Sequence, residues 1–272
     1  MRLCSSSIFL GILVGCASTP VPRDSRPSTA PSAAAVDSTK AADPLPPAVW
    51  RENHFRVSVR VRTVQADSAA ADSLTRESAV SLSPSPAGTE TDLLFKSDTA
   101  LADSLSAPLE QSVRMRVDDS GHTKLLDESV ESCVVRPPEI SLLFVRQLVY
   151  PGSISDPKPG GVFVDSLNYT SCVQGVRVVS ALELQWTASD SGTDQGLAVT
   201  VRIRGRVQAD SSQRLPMTLT GTVTGHSSLI FRRDTRQLER LESDISSELD
   251  ALMGTRHQRF TQSVSYRATS SH

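Results

Sequence analysis

The chain has 272 residues and a formal net charge of −2, with charged residues at 21% and both signs interspersed, so it offers no basic surface of the kind nucleic acid requires. Aromatic residues make up only 4%, which leaves a core to be built from Val, Leu and Ile. No Cys-x-x-Cys occurs, and this excludes thioredoxin-like redox chemistry and a zinc ribbon.

Arg2 precedes an apolar run over residues 8–14 that ends in Leu13-Val14-Gly15-Cys16. The run is too short for a transmembrane helix, which needs about 20 apolar residues, and has the charged and apolar regions of an export signal. Leu-Val-Gly-Cys resembles the lipobox of bacterial lipoprotein precursors, in which small or branched residues precede a cysteine whose thiol receives a diacylglyceryl group before cleavage. The resemblance implies a signal peptide over residues 1–15 and a mature chain starting at Cys16 with three acyl chains, enough for stable anchoring. Ala17 stands where some inner-membrane lipoproteins carry Asp, so the expected address is the cell envelope, at the outer membrane. The alternative is ordinary secretion with cleavage near Ala17.

Residues 16–49 are rich in Ala, Ser and Pro up to Pro46 and Pro47, and such a composition predicts a disordered tether. It would reach between roughly 30 Å as a coil and 100 Å as polyproline II. A single β domain is expected over residues 50–268.

Composition changes at Trp50. Phe55, Val57, Val59 and Val61 alternate with Arg56, Ser58, Arg60 and Arg62, the period of a half-buried strand. The alternation returns at Val113, Met115 and Val117, which run into Asp118-Asp119-Ser120-Gly121, a tight turn toward a strand over 124–133. It returns over 162–170, 176–186, 197–207, 215–223 and 229–233, with Ser/Gly/Asp clusters between. Residues 139–149, between Pro137-Pro138 and Pro151, predict a helix of about two to three turns. Residues 238–253 are ambiguous: Leu238, Leu241, Ile245, Leu249 and Leu252 fit a helix, whereas Leu241, Ile245, Leu249 and Met253 share one face of a strand. The turn-like Arg232-Arg233-Asp234-Thr235-Arg236 and the later alternation of Phe260, Val264 and Tyr266 favour a long strand paired on both sides. The expected fold is mostly β, a large curved antiparallel sheet or open β-barrel meander with one short helix.

With Cys4 in the signal and Cys16 acylated, Cys133 and Cys172 remain, and an even remainder in an oxidising compartment reads as one disulfide. It would close a loop of about 40 residues and add about 3–4 kcal/mol through loop-closure entropy. Two separate buried thiols are the other reading.

Gly160, Phe163 and Asp165, the Asn168-Tyr169-Thr170 strand, Leu229-Ile230-Phe231 and an Asp-Thr-x-x-Leu turn from Asp234 to Leu238 resemble uncharacterised envelope lipoproteins with a curved sheet, loosely similar to the lipoprotein carriers of the Lol system. The resemblance covers less than half of the chain and supplies no catalytic residues.

Chemistry-bearing patterns are sparse. Gly225-His226-Ser227-Ser228 lacks the second glycine of a nucleophile elbow and reads as a turn between strands. The five histidines show no metal-ligand spacing, and the 118–121 segment is not followed by the Glu of a calcium loop. Trp186 alternates with Leu182 and Leu184 and reads as core, so no aromatic platform accompanies a dispersed carboxylate pair. Arg56, Arg60 and Arg62, and Arg202, Arg204 and Arg206, each lie on one strand face. They suit contact with anionic lipid headgroups, or form a solvated face balanced by Asp and Glu. The expectation is a non-enzymatic protein without catalytic residues, metal or cofactor. Its partners would be the membrane, through its anchor, and a hydrophobic ligand or envelope component. The alternatives are an assembly factor that docks a protein through a sheet edge and a hydrolase with a dispersed site.

Overall fold

The computed structural model describes residues 49–66, 71–98, 110–118, 121–126, 136–151, 161–173, 176–189, 196–209 and 217–271. The expected signal and tether, Cys16 and Cys133 lie outside the described residues. Eleven strands form one antiparallel sheet curled into a half-barrel. They are β1 (Asn53–Gln65), β2 (Ala71–Ala87), β3 (Glu90–Ser97), β4 (Ser112–Val117), β5 (Thr123–Leu125), β6 (Val162–Val173), β7 (Val176–Ser189), β8 (Gly196–Ala209), β9 (Met217–Arg232), β10 (Leu238–Met253) and β11 (Arg256–Ser270).

The spatial order is β5-β4-β3-β2-β1-β11-β10-β9-β8-β7-β6. Two meanders, β1 to β5 and β6 to β11, are thus joined where β1 lies beside β11. Their register runs from Phe55 opposite Ser270 to Gln65 opposite Phe260. Because side chains alternate across a strand, this register puts Phe55, Val57 and Val59 on the same concave face as Tyr266 and Ala268, and all five are buried. The convex face keeps the polar set. Long one-sided amphipathic strands have to bury their apolar face, and here the sheet curls around it.

The segment between the meanders fills the concavity. A 3-10 turn, Pro138–Ile140, leads into α1 (Leu142–Gln147), with Ser141 between them as N-cap, its hydroxyl accepting from the Phe144 N–H at 3.4 Å. All six residues of α1 are buried; a helix with no polar face belongs inside. The expected single helix over 139–149 is therefore shorter and broken at Ser141, whose extended backbone (ψ 145) interrupts the helical run.

Other expectations change as well. The strands expected over 215–223 and 229–233 are described as one, β9, over Met217–Arg232, so Gly225-His226-Ser227-Ser228 is strand and not a turn. Ser227 is buried on the concave face while His226 and Ser228 point outward, and β9 keeps register with β8 and β10 throughout this stretch. Strands β2 and β3 were not anticipated. Residues 238–253 form one strand paired on both sides. The strand expected over 124–133 is described only as β5, three residues long, and 127–135 lie outside the described residues. The turn at 118–121 is present in its described ends, with the Gly121 N–H donating to the Asp118 carbonyl at 3.0 Å.

Candidate functional site

The helical segment is held by polar groups inside an otherwise apolar concavity, and each tie reaches a different strand. Arg146, 1% exposed, donates from Nε to Asp165 Oδ2 on β6 at 2.6 Å and from Nη1 to the Val149 carbonyl at 2.9 Å. Its guanidinium carbon stands 5.1 Å from the centre of the Trp186 ring, a cation–π distance. Burial pulls the Arg146 pKa down and the Asp165 carboxylate opposes that shift. Gln147 donates to the Leu143 carbonyl at 3.0 Å and accepts from the Ser227 hydroxyl, which lies 2.7 Å from the Ser243 hydroxyl of β10. Glu139, fully buried, accepts from Ser97 at 2.9 Å and pairs with Arg76 of β2 at 3.3 Å. Ser141 lies 3.1 Å from the Tyr266 hydroxyl, and Phe144 stacks on the Tyr266 ring at 4.9 Å. Buried polar groups are costly unless paired, so these ties fix one placement of the segment against the sheet.

Below the segment the concavity stays open. A cavity of about 180 Å³ runs from Ser141, Leu143 and Tyr266 down the inner faces of β6 to β11. Its apolar wall is Leu143, Val178, Val207, Val223, Ile245 and Val264, and hydroxyl and amide groups come from Tyr169, Ser171, Ser180, Ser247 and Gln262. No lining side chain is charged. The apolar strip continues past the cavity through the cross-strand neighbours Val264, Val61 and Leu74, and Leu74 is half exposed. Farther along, Val178, Leu219, Leu249, Ala251 and Phe260 make a second apolar cluster.

All three tyrosines of the chain are in this region or next to it, and burial raises the pKa of each. Tyr150, packed edge-on against Phe231, is pushed up to about 12. A tyrosine raised in the folded state contributes fully below about pH 10, where the unfolded phenol starts to ionise, and that contribution is lost as the pH climbs through the folded value. Stability is therefore expected to fall between pH 10 and 12, by about 2–3 kcal/mol from Tyr150 alone. Phenolate absorbance should rise together with loss of circular dichroism; a separate early titration step would show a solvent-accessible tyrosine instead.

The sequence-predicted arginines sit elsewhere. Arg56, Arg60 and Arg62 are exposed on the convex face of β1, and Arg202, Arg204 and Arg206 on that of β8. Strands β11, β10 and β9 separate the two stripes, so the sheet does not bring them together. Between them β10 carries Glu242, Asp244, Glu248 and Asp250, while Arg204 has Glu183 directly opposite on β7. Arginines on the same face sit beside these acids: Arg240 pairs with Glu242 at 2.6 Å and Arg259 of β11 with Asp250 at 3.0 Å, while Arg267 lies opposite Glu242. Cys172 lies on β6 opposite Arg177; its proposed partner Cys133 is outside the described residues. Trp186 is fully buried, as expected.

No family model, curated protein or solved structure matches this chain. The concave face offers an uncharged, partly apolar cavity beside a buried helical plug on an antiparallel support. Sequence reasoning missed Glu139, Arg146, Gln147 and Asp165. The available signal was Arg146-Gln147 inside the otherwise apolar run 142–150, two polar side chains that a buried helix has to pair.

Proposed function

We propose that this protein is a non-enzymatic envelope component, anchored through acylated Cys16, whose half-barrel takes up an uncharged hydrophobic ligand in the cavity beneath α1. The observation that carries this reading is the charge-free lining of that cavity, with its apolar wall and its few hydroxyl and amide groups; sites of this composition take apolar ligands and orient them with a small number of polar contacts. The lipobox-like Leu13-Val14-Gly15-Cys16 supports the anchor, and the Pro-rich segment that follows supports a stand-off from the membrane. The loose resemblance to Lol-type carriers agrees with a role in holding a lipid-like molecule.

The test is native mass spectrometry with organic extraction on the full chain purified from membranes. A near-stoichiometric extractable adduct is expected, and Ser247→Trp, which fills the cavity from β10, is expected to abolish it while circular dichroism is retained. A clean mass for the unaltered chain, or an adduct that survives Ser247→Trp, overturns the reading.

A further inference from the structure

Four hydroxyl groups line the cavity beneath α1, in two pairs. The Tyr266 hydroxyl lies 3.1 Å from that of Ser141, and the Tyr169 hydroxyl is hydrogen-bonded to Ser180, directly opposite it on β7. A hydroxyl has one proton to donate and two lone pairs to accept with, so two hydroxyls bonded to each other use one proton and keep one. Ser141 also accepts from the Phe144 N–H, which fills a lone pair and leaves the number of protons unchanged. No acceptor among the described residues takes either spare proton.

Charge and size limit what can meet those protons. The lining has no cationic side chain. Burial first, and then the nearby Tyr169 phenol and Glu139 carboxylate, hold the Tyr266 pKa up against the hydrogen bond from Ser141. An anion beside Tyr266 would thus have no counter-ion and one negative neighbour, and a charge buried without a partner is strongly disfavoured. At about 180 Å³ the cavity is close in size to an apolar hole of roughly 150 Å³ that takes one benzene, so it has room for about seven carbons of one chain and none for a second beside it. Beyond it the apolar strip continues from Val264 across Val61 to Leu74, two strand spacings or about 10 Å.

Resting on the ligand-binding reading above, we propose that the ligand is a lipid with a single straight chain that ends in an uncharged acyl ester or amide, whose carbonyl oxygen accepts the spare protons of the Tyr169–Ser180 and Tyr266–Ser141 pairs. The first carbons of the chain fill the cavity between Val178, Val207, Val223 and Ile245, and the rest lies along the strip toward Leu74. The corresponding free fatty acid is rejected because it brings a charge. A two-chain lipid is rejected because one chain fills the space.

Native mass spectrometry of the full chain carrying Cys16→Ser, which removes acyl chains of its own, tests this by titration with methyl dodecanoate, dodecanoate and dilauroylglycerol. One methyl dodecanoate per chain is expected, with dodecanoate bound at least about tenfold more weakly and dilauroylglycerol not bound. Ser180→Ala alone leaves the Tyr169 proton in place and is expected to keep the affinity for the methyl ester. Tyr169→Phe combined with Ser180→Ala removes that donor and is expected to weaken the methyl ester by roughly three- to tenfold, with circular dichroism unchanged. Dodecanoate or dilauroylglycerol bound as tightly as the methyl ester, at a site that Ser247→Trp blocks, overturns this ligand class and leaves the binding reading standing. An unchanged affinity in the double variant does the same. Failure of all three probes to bind overturns the ligand class whatever the membranes yield, and a clean mass from membranes overturns the reading beneath it as well.

Discussion

Removing either partner of the Arg146–Asp165 pair is expected to cost about 3–5 kcal/mol, because the survivor is left as an uncompensated charge in a closed interior. The effect should be largest for Asp165→Asn, which strands a guanidinium that is 1% exposed. Its remaining hydrogen bond to the Val149 carbonyl and its position over Trp186 do not replace a counter-ion. The double variant Arg146→Met, Asp165→Leu is expected to recover most of the loss, since a buried ion pair replaced by apolar groups of similar volume is often close to neutral. Urea denaturation of the unaltered chain, Arg146→Met, Asp165→Leu and the double variant measures the coupling. Single losses that simply add in the double variant would show that the two residues stabilise the fold independently. Coupling matters for more than stability here, because this pair links α1 to the edge strand β6. Weakening it should loosen the segment that roofs the cavity.

The curved sheet was legible in the sequence where alternation was clean. In β1 every second residue from Phe55 to Val61 is apolar, and the structure puts Phe55, Val57 and Val59 in the core. Strand β2 was not legible, for two physical reasons. Residues 71–77 carry one apolar side chain beyond alanine, Leu74, and are mostly exposed, so no periodic signal exists there. Pro84 and Pro86 then argue against a strand. They are tolerated because β1 ends its pairing at Asn53 opposite Leu82, and beyond that point β2 pairs only with β3. Strand β10 shows the opposite case: its leucines fit two periods, and only the neighbours on both sides settle the matter. Long-range pairing overrides local pattern in such segments. The site was the least legible part. That Arg146 and Gln147 needed partners follows from the apolar run around them, but Asp165 is 19 residues away and Ser227 is 80. Topology alone brings them into reach.

Glycine distribution explains how so long a sheet can curl, and it yields the second large effect. Gly205, Gly221 and Gly225 all fall on the concave face of β8 and β9. At Gly221 a Cβ would collide with the Glu248 carbonyl oxygen of β10 and approach Leu249 Cδ2 to 2.5 Å. The Gly221 backbone is thus pressed against its neighbour, and the Leu249 side chain occupies the space that a side chain at 221 would need. A flexible side chain could rotate away, but the Glu248 carbonyl belongs to the β9–β10 ladder, in which Glu248 lies opposite Thr222 and Leu249 opposite Gly221, and moves only if the two strands separate. Gly221→Ala is therefore expected to destabilise by about 3 kcal/mol, at the upper end of overpacking effects, and Gly221→Val by more. Gly254, in the turn between β10 and β11, is the control. It has φ +59 and nothing within 4 Å of a Cβ, so alanine there meets only the backbone penalty of the left-handed region, about 1 kcal/mol. Chemical denaturation of Gly221→Ala and Gly254→Ala should rank them in that order by a wide margin. Equal midpoints would mean that β9 and β10 are not in close approach at Gly221, and the tight curl of the half-barrel at this point would then need another cause.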